Sequence, residues 1–305
     1  MNLLVIKNKY FDDHILLCFK DFFDSLSCYD ASKHNCKIYS VYSDQIQEIL
    51  FNFHNIDWIL VSGIDKNVDL IRKKTKSRVI VFWDDIHYHT QEAFKNRMKM
   101  FENSDILLLP YYKQFLKRKE YIRFWHKAVY FPWYAPKACF DNNIDFELRK
   151  NKILMSGRVS DSYEIRKQIV KFYKSDTDFE FLDHPGYNRE KRSHQIMREK
   201  YYEYLSNYKI AIATTADSPL NYTVAKYFEI PACGCALILQ KTLDIDDLGF
   251  VENEHYVPVN KNNLRNLKEL IKDFDLRKMA KKSFELIKNR HLVANRIELL
   301  FEKIG

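Results

Sequence analysis

The segment Thr223-Val-Ala-Lys-Tyr-Phe-Glu-Ile-Pro-Ala-Cys-Gly-Cys-Ala-Leu-Ile238 contains the strongest structural pattern in the chain. It predicts a helix over residues 221–230, with Glu229 in its later half, followed by a buried strand over residues 235–239. Gly234 lies between them, and glycine commonly ends a helix because it adopts a positive φ without strain. A helix that leads into an apolar strand in this way indicates an α/β domain.

Strand and helix patterns alternate through the rest of the chain. Short apolar runs predict strands over Leu3–Ile6, Lys37–Tyr42, Trp58–Ser62, Arg78–Trp83, Asp105–Leu109 and Ala128–Phe131, and over 153–156, 179–182 and 208–213. Amphipathic runs predict helices over His14–Phe23, Ser43–Phe53, Val68–Lys74, Gln91–Phe101, Tyr111–Arg118, 161–174, 193–206, 262–272, 275–289 and Leu292–Lys303. Such alternation is typical of parallel sheets covered by helices on both faces.

The alternation breaks near Pro132 and Pro136, where a polar, charged stretch follows. We therefore predict a Rossmann-like domain over residues 1–134, a linker over 135–151 and a second Rossmann-like domain over 152–288. A C-terminal helix over 289–305 follows, and whether it crosses back to the first domain stays open. Two doubly wound domains of this kind face a cleft, and ligands bind at the carboxyl ends of their strands.

Composition limits the class of protein. The 305 residues are 46% apolar and 30% charged, which is typical of folded domains rather than disorder. The six cysteines form no pair of Cys-x-x-Cys motifs, so we expect reduced thiols, no structural zinc and a cytoplasmic location. No apolar run is long enough to span a membrane, and the N-terminal run is too short for a signal peptide. The net charge of +8 favours anionic partners.

The segment around Glu229 resembles the glutamate-containing helix of GT-B glycosyltransferases, most closely the group 1 branch that includes spore-maturation-type proteins. The resemblance implies transfer of a sugar from a nucleotide diphosphate sugar to an acceptor hydroxyl of a glycan, lipid-linked or other saccharide. It implies that Glu229 binds the donor ribose and that Asn221, Tyr222 and Thr223 line the diphosphate. Lys226 stands where the family often has arginine. Many retaining members carry a second glutamate at the position of Asn221, so the stereochemical outcome stays open.

Two further loops are candidates for donor binding. Gly157 and Arg158 follow the first strand of the second domain, where the resemblance implies contact with the diphosphate. We expect Arg166, shortly afterwards, to be structural. His184 and Tyr187 follow the next strand and would border the donor, although a plain turn would explain them equally.

The cluster Asp84-Asp-Ile-His-Tyr-His89 follows a buried strand of the first domain. The resemblance implies that the acceptor binds this domain, so we predict that Asp85 or His87 removes the acceptor proton. The carboxylates and imidazoles would also suit a metal ion. We nevertheless predict no metal and no other cofactor, because GT-B enzymes neutralise the diphosphate with helix dipoles and basic residues. A polar loop that caps the next helix is the structural alternative.

The stretch Tyr111–Tyr134 mixes six lysines and arginines with aromatic residues. We favour a helix whose aromatic face packs on the sheet, while peripheral contact with an anionic membrane, or with nucleic acid, is the alternative. The basic net charge also leaves open a DNA-modifying glycosyltransferase. The missing second glutamate leaves open a non-catalytic sugar-binding or nucleotide-binding module of the same fold.

Overall fold

A computed structural model describes residues 1–14, 16–46, 55–63, 68–83, 90–142, 144–186, 196–216 and 220–305. The chain divides into two compact units. The first comprises Met1–His14, Phe19–Pro132 and Ala294–Gly305, and the second comprises Ile15–Cys18 and Trp133–Val293.

Both units are built from parallel strands and the helices that connect them. The strands are β1 (Asn2–Lys7), β2 (Lys37–Tyr42), β3 (Trp58–Ser62), β4 (Arg78–Phe82), β5 (Ile106–Leu109), β6 (Ala128–Tyr130), β7 (Lys150–Ser156), β8 (Phe179–Leu182), β9 (Tyr208–Ala213), β10 (Ala236–Leu239) and β11 (Tyr256–Pro258). The α-helices are α1 (Leu17–Ser27), α2 (Val68–Lys74), α3 (Gln91–Glu102), α4 (Tyr112–Lys117), α5 (Glu164–Tyr173), α6 (Glu199–Ser206), α7 (Lys226–Ala232), α8 (Leu267–Lys272), α9 (Leu276–Arg290) and α10 (Val293–Ile304).

The first unit contains a six-stranded sheet in the order β2-β1-β3-β4-β5-β6, with every neighbouring pair parallel. All five residues of β3 are buried, which explains why its sequence is a continuous apolar run rather than an alternating one. The C-terminal helix α10 packs on this unit. The Phe301 ring stacks on His34 with the ring centroids 4.3 Å apart, and Trp58 Nε1 donates to the Ile304 carbonyl at 3.2 Å.

The second unit contains a five-stranded sheet in the order β11-β10-β9-β7-β8, again with parallel neighbours only. Isoleucines from three adjacent strands, Ile153, Ile210 and Ile238, form the centre of its core. The predicted α/β class with two Rossmann-like sheets is therefore confirmed. None of the helices within the described residues has the length and apolar character that crossing a bilayer requires.

The predicted helix over 221–230 was wrong in its bounds, since α7 begins at Lys226 and ends at Ala232. The cause is local hydrogen bonding. The Thr215 hydroxyl donates to the Tyr222 carbonyl at 2.6 Å and accepts from the Tyr222 N–H at 3.0 Å, which keeps this residue out of the helical ladder. Gly234 ends the helix with a φ of 77°, as predicted.

Candidate functional site

Three loops meet at the carboxyl edge of the second sheet. Strand β7 ends at Ser156, β8 ends at Leu182 and β9 ends at Ala213. Gly157 follows the first of these strands directly, and His184 follows the second after one intervening residue. Open parallel sheets bind their ligands at this edge, because successive loops converge there.

Arg166, on α5, forms hydrogen bonds to two of these loops, the one after β7 and the one after β9. Its Nε donates to the Thr214 hydroxyl at 2.9 Å, and its Nη2 donates to the Thr214 carbonyl at 3.0 Å. Its Nη1 donates to the Arg158 carbonyl at 2.9 Å. These bonds fit the structural role expected for Arg166. They also place a permanent buried positive charge directly under the loop that begins at Gly157.

Gly157 adopts a φ of 122°, a conformation that side chains rarely permit. A methyl group at its Cα would come 2.8 Å from Nη1 of Arg166 and 3.7 Å from Nζ of Lys226. Glycine is therefore needed here for two reasons, the backbone conformation and the close approach of two cations. The backbone at Gly157 is therefore flanked by positive charge.

Lys226 is the first residue of α7, and its side chain is half-buried. Burial and the nearby charge of Arg166 lower the pKa of its ammonium to about 8, although Glu229 acts in the opposite direction. It makes neither a hydrogen bond nor a salt bridge to any residue that the structure describes. A partly desolvated ammonium without a counter-ion is a favourable site for an anion.

His184 lies beside the same cations. Burial, followed by the charges of Lys226, Arg166 and Arg158, lowers the pKa of its imidazole to about 4, while Asp183 acts in the opposite direction. Its Nδ1 accepts a hydrogen bond from the Gly186 N–H at 2.9 Å. The ring is therefore neutral at physiological pH with its proton on Nε2, and it can donate one hydrogen bond without adding charge.

Glu229, one turn after Lys226 on α7, is 3% exposed. Its Oε1 accepts a hydrogen bond from the Tyr202 hydroxyl at 3.0 Å, while Oε2 accepts none from the described residues. Burial raises the pKa of the carboxyl, although Lys226 and Tyr202 act in the opposite direction. A buried carboxylate with one unused oxygen is suited to accept hydrogen bonds from a ligand's hydroxyl groups.

Two tyrosines of α6 complete the surroundings of Glu229 and carry no signal in the sequence. Tyr202 donates to the carboxylate, and the hydroxyl of Tyr201 lies 2.8 Å from Oγ of Ser156 at the end of β7. Neither tyrosine is part of a recognisable motif, and 27 positions separate Tyr202 from Glu229. Only the packing of α6 against α7 shows that they belong to the site.

The loop before α7 holds the three residues predicted to line a diphosphate. The Thr223 hydroxyl lies in the interior, 2.6 Å from both Thr242 Oγ1 and Asp244 Oδ1, and Tyr222 is fixed through its backbone to Thr215. Asn221 is half-buried with a φ of 30°. The side chain of Thr223 is thus engaged within the unit, so its contribution to ligand binding would come from the backbone.

Asp85, His87 and Tyr187 lie outside the described residues. Of the remaining candidates, the structure brings together Gly157, Arg158, His184, Lys226 and Glu229 at one edge of the sheet. No group of three or more metal-ligating side chains suited to an ion occurs within the described ranges. The arrangement, a buried carboxylate beside a set of cations, can bind a ligand that carries both hydroxyls and negative charge.

One family of known proteins matches the part of the chain that contains most of these residues. Residues 164–302, which contain all of α5–α9, match the family described as glycosyl transferase-like. A search of curated protein sequences finds no significant match.

Solved structures resemble the chain over its whole length. An alpha-glucosyltransferase bound to UDP-glucose and DNA containing an abasic site is 12% identical, with a TM-score of 0.67 and coverage of 100% of this chain and 99% of that chain. HepE from Anabaena, bound to UDP and glucose, is 10% identical with a TM-score of 0.62 and the same coverage. A glycosyltransferase from Rickettsia africae is 11% identical, with a TM-score of 0.62 and coverage of 99% and 98%.

At these identities the structural likeness establishes the fold, while the family match concerns residues 164–302. Both agree with the resemblance seen around Glu229. The predicted GT-B fold is confirmed: residues 164–302 match a glycosyl transferase-like domain, and the whole chain shares the fold of the solved glycosyltransferases that it resembles.

Proposed function

We propose that the carboxyl edge of the second sheet binds a uridine diphosphate sugar and that the chain transfers this sugar to an acceptor hydroxyl. The observation that carries the proposal is the adjacency of Lys226, an ammonium with no ion pair among the described residues, to the buried carboxylate of Glu229. A nucleotide sugar supplies the complement of both, a diphosphate and a ribose diol. The choice of uridine is supported by the similar structures, which contain UDP-glucose or UDP.

In this arrangement the diphosphate lies over Gly157. Lys226 and the exposed side chain of Arg158 neutralise its charge, and the neutral His184 donates from Nε2 to a phosphate oxygen. Arg166 is already bonded to Thr214 and Arg158, so it contributes its field rather than a direct contact. The ribose hydroxyls donate to Glu229, whose Oε2 has no hydrogen-bond donor among the described residues.

The test is a screen of nucleotide sugars with two readouts, thermal stabilisation and release of the free nucleotide. We expect a UDP sugar to raise the melting temperature and to be turned over, at least by slow hydrolysis to the free sugar. Stabilisation without any turnover would indicate a non-catalytic binding module. Absence of stabilisation by every nucleotide sugar tested would contradict the proposed donor site.

A base is also needed to remove the acceptor proton, and we retain Asp85 or His87 as its source. Asp85→Asn and His87→Gln each replace a base by a neutral amide, and the variant that removes the base should lower kcat by about 10²–10⁴-fold. The thermal shift induced by the UDP sugar should stay unchanged, because the donor residues are intact. If neither variant changes kcat with a saturating acceptor, the base lies elsewhere.

Modified DNA is a second candidate acceptor. It is favoured by the net charge of +8 and by the fold shared with a glucosyltransferase that was solved with DNA. A parallel assay with a saccharide acceptor and with duplex DNA carrying a hydroxylated base separates the two acceptors. Transfer to DNA should weaken steeply with salt because counter-ions are released on binding. Transfer to the saccharide alone, with no DNA affinity at low salt, would exclude this alternative.

A further inference from the structure

The 3₁₀ helix Lys119–Lys127 of the first unit exposes large apolar side chains that do not pack in the core. It has nine residues, whereas most 3₁₀ helices are confined to a single turn. With three residues per turn, side chains three positions apart lie in one row. The segment therefore has three rows, and each row has a different environment.

One row faces the core. Tyr121 and Phe124 are 1% and 3% exposed, and both pack edge-on against Phe101 of α3. Lys127, at the end of this row, donates to the carbonyls of Phe101 and Ser104 at 3.0 and 2.6 Å, and so caps the end of α3. The core row thus accounts for the packing expected of this stretch and holds the segment in place.

The second row, Lys119, Ile122 and Trp125, faces solvent. Ile122 is 52% exposed and Trp125 is 39% exposed, which makes them an adjacent pair of large apolar side chains on a fixed backbone. The segment is thus apolar on two rows, although only the core row is needed for packing. A tryptophan beside an aliphatic residue and a lysine is the composition that proteins place at the boundary between lipid headgroups and acyl chains.

The exposed charges beside Ile122 and Trp125 that form no salt bridge among the described residues are positive. Lys117 and Lys119 are exposed and form no salt bridge within the described part of the chain. The two nearby acids are already paired, Glu120 with Arg118 at 3.4 Å and Glu102 with Arg123 at 2.6 Å. The net field around Ile122 and Trp125 is therefore positive, which complements an anionic surface.

We propose that the exposed row Lys119–Ile122–Trp125, together with Lys117, is a docking surface for an anionic lipid bilayer. Ile122 and Trp125 insert at the headgroup level, and the lysines contact lipid phosphates. Nucleic acid fits this surface less well, because an isoleucine offers no ring on which a base could stack. The inference is independent of the donor site, since it uses only residues of the first unit.

Flotation with vesicles of phosphatidylcholine alone, or with added phosphatidylserine, tests the proposal. We expect the full chain to bind the anionic vesicles, and Ile122→Ser/Trp125→Ser to reduce partitioning by about tenfold or more. Lys117→Gln/Lys119→Gln should also reduce partitioning onto the anionic vesicles, and added salt should have the same effect on the unaltered chain. Leu148→Ser/Val251→Ser, which removes two exposed apolar residues of the second unit, is the matched control and should bind like the unaltered chain.

Trp125 also provides a spectroscopic readout, because Trp58 and Trp133 are only 2% exposed and Trp83 is half-buried. Anionic vesicles should shift the indole emission to the blue, and brominated acyl chains should quench it. Trp125→Phe should abolish both changes while it keeps most of the binding. An unchanged far-UV circular dichroism spectrum and an unchanged melting temperature show that each variant is folded.

Three results would overturn the proposal. They are no binding to anionic vesicles, equal binding by the Ile122→Ser/Trp125→Ser variant, and binding of that surface to duplex DNA in place of vesicles. The last result would reassign the surface to nucleic acid.

Discussion

Replacement of Glu229 by glutamine should weaken binding of the UDP sugar by about 10²-fold, since two charge-assisted hydrogen bonds from the ribose are lost. The glutamine amide keeps the shape of the side chain and can still accept from Tyr202 at 3.0 Å. It cannot accept strongly from two further hydroxyls, because one of its terminal groups is a donor. Isothermal titration with the UDP sugar measures the loss directly.

The same variant should not be less stable when unliganded. Burial raises the pKa of Glu229, so the folded state favours the protonated carboxyl. The stability that this protonation provides is present at low pH and is lost as the pH rises through the raised pKa. Above the raised pKa the ionised carboxylate therefore destabilises the empty site, and there Glu229→Gln should melt at the same temperature as the parent chain or higher.

Tyr202→Phe is the matched control, because it removes the hydrogen bond to Oε1 and leaves the carboxylate available to ribose. Its effect on donor affinity should be less than about tenfold. A loss in Tyr202→Phe as large as that in Glu229→Gln, or unchanged affinity in Glu229→Gln, would show that Glu229 serves the packing of α6 and α7 rather than the ribose.

Most strand positions could be predicted from the sequence, because parallel sheets bury both faces. Runs such as Trp58–Ser62 and Tyr208–Ala213 are apolar at nearly every position, and they coincide with β3 and β9 residue for residue. The short strand β11, Tyr256–Pro258, was not predicted. Three residues that end in a proline carry too little periodicity to be distinguished from a loop.

The local error at α7 has a different origin. Amphipathic spacing extended the predicted helix back to residue 221, whereas the Thr215 hydroxyl, at the start of the same connection between β9 and α7, binds the backbone of Tyr222. A side-chain hydrogen bond to the backbone within a loop leaves no trace in the spacing of apolar residues. As a result, Glu229 lies in the first turn of α7, only three positions after Lys226.

The sequence predicts the donor residues through a resemblance, but it could not predict their pKa shifts. Lys226 was singled out as a replacement for arginine in α7. Its lowered pKa depends on burial and on Arg166, which comes from α5, 60 positions earlier in the chain (226 − 166). Tyr201 and Tyr202 were missed for the same reason, since their importance arises only where α6 meets α7 and β7.

The pKa of Lys226 makes donor binding dependent on pH. With a pKa of about 8, the ammonium is mostly present at pH 7, and about a tenth of it remains one pH unit above the pKa. The affinity for a UDP sugar should therefore be about tenfold lower near pH 9 than near pH 7. Near pH 8 binding should also take up protons, because the diphosphate favours the charged form. Titration calorimetry in buffers of different ionisation enthalpy measures this uptake.

Two substitutions separate charge from structure at this position. Lys226→Arg keeps a permanent cation, so it should remove both the proton uptake and the pH dependence above pH 7 while it retains most of the affinity. Lys226→Met keeps the apolar stem and should lower affinity by about 10²-fold near pH 7, but by only about tenfold near pH 9, where most of the lysine is already neutral. Any pH dependence that persists equally in Lys226→Arg belongs to another group and would contradict the assignment.

The stability of the unliganded protein provides an independent test of the direction of the Lys226 pKa shift. The pKa of Lys226 lies below its ordinary value of 10.5 in the folded state, so between about pH 8 and that value the unfolded chain holds more protons. The free energy of unfolding should consequently rise with pH across this window, and Lys226→Met should lack that rise.

In Glu229→Gln the ammonium of Lys226 loses a neighbouring negative charge, so its pKa should fall and the proton uptake should move to lower pH. Such a shift requires Lys226 and Glu229 to act as a coupled pair, which is the feature that suits this site to a ligand carrying both a diphosphate and a diol.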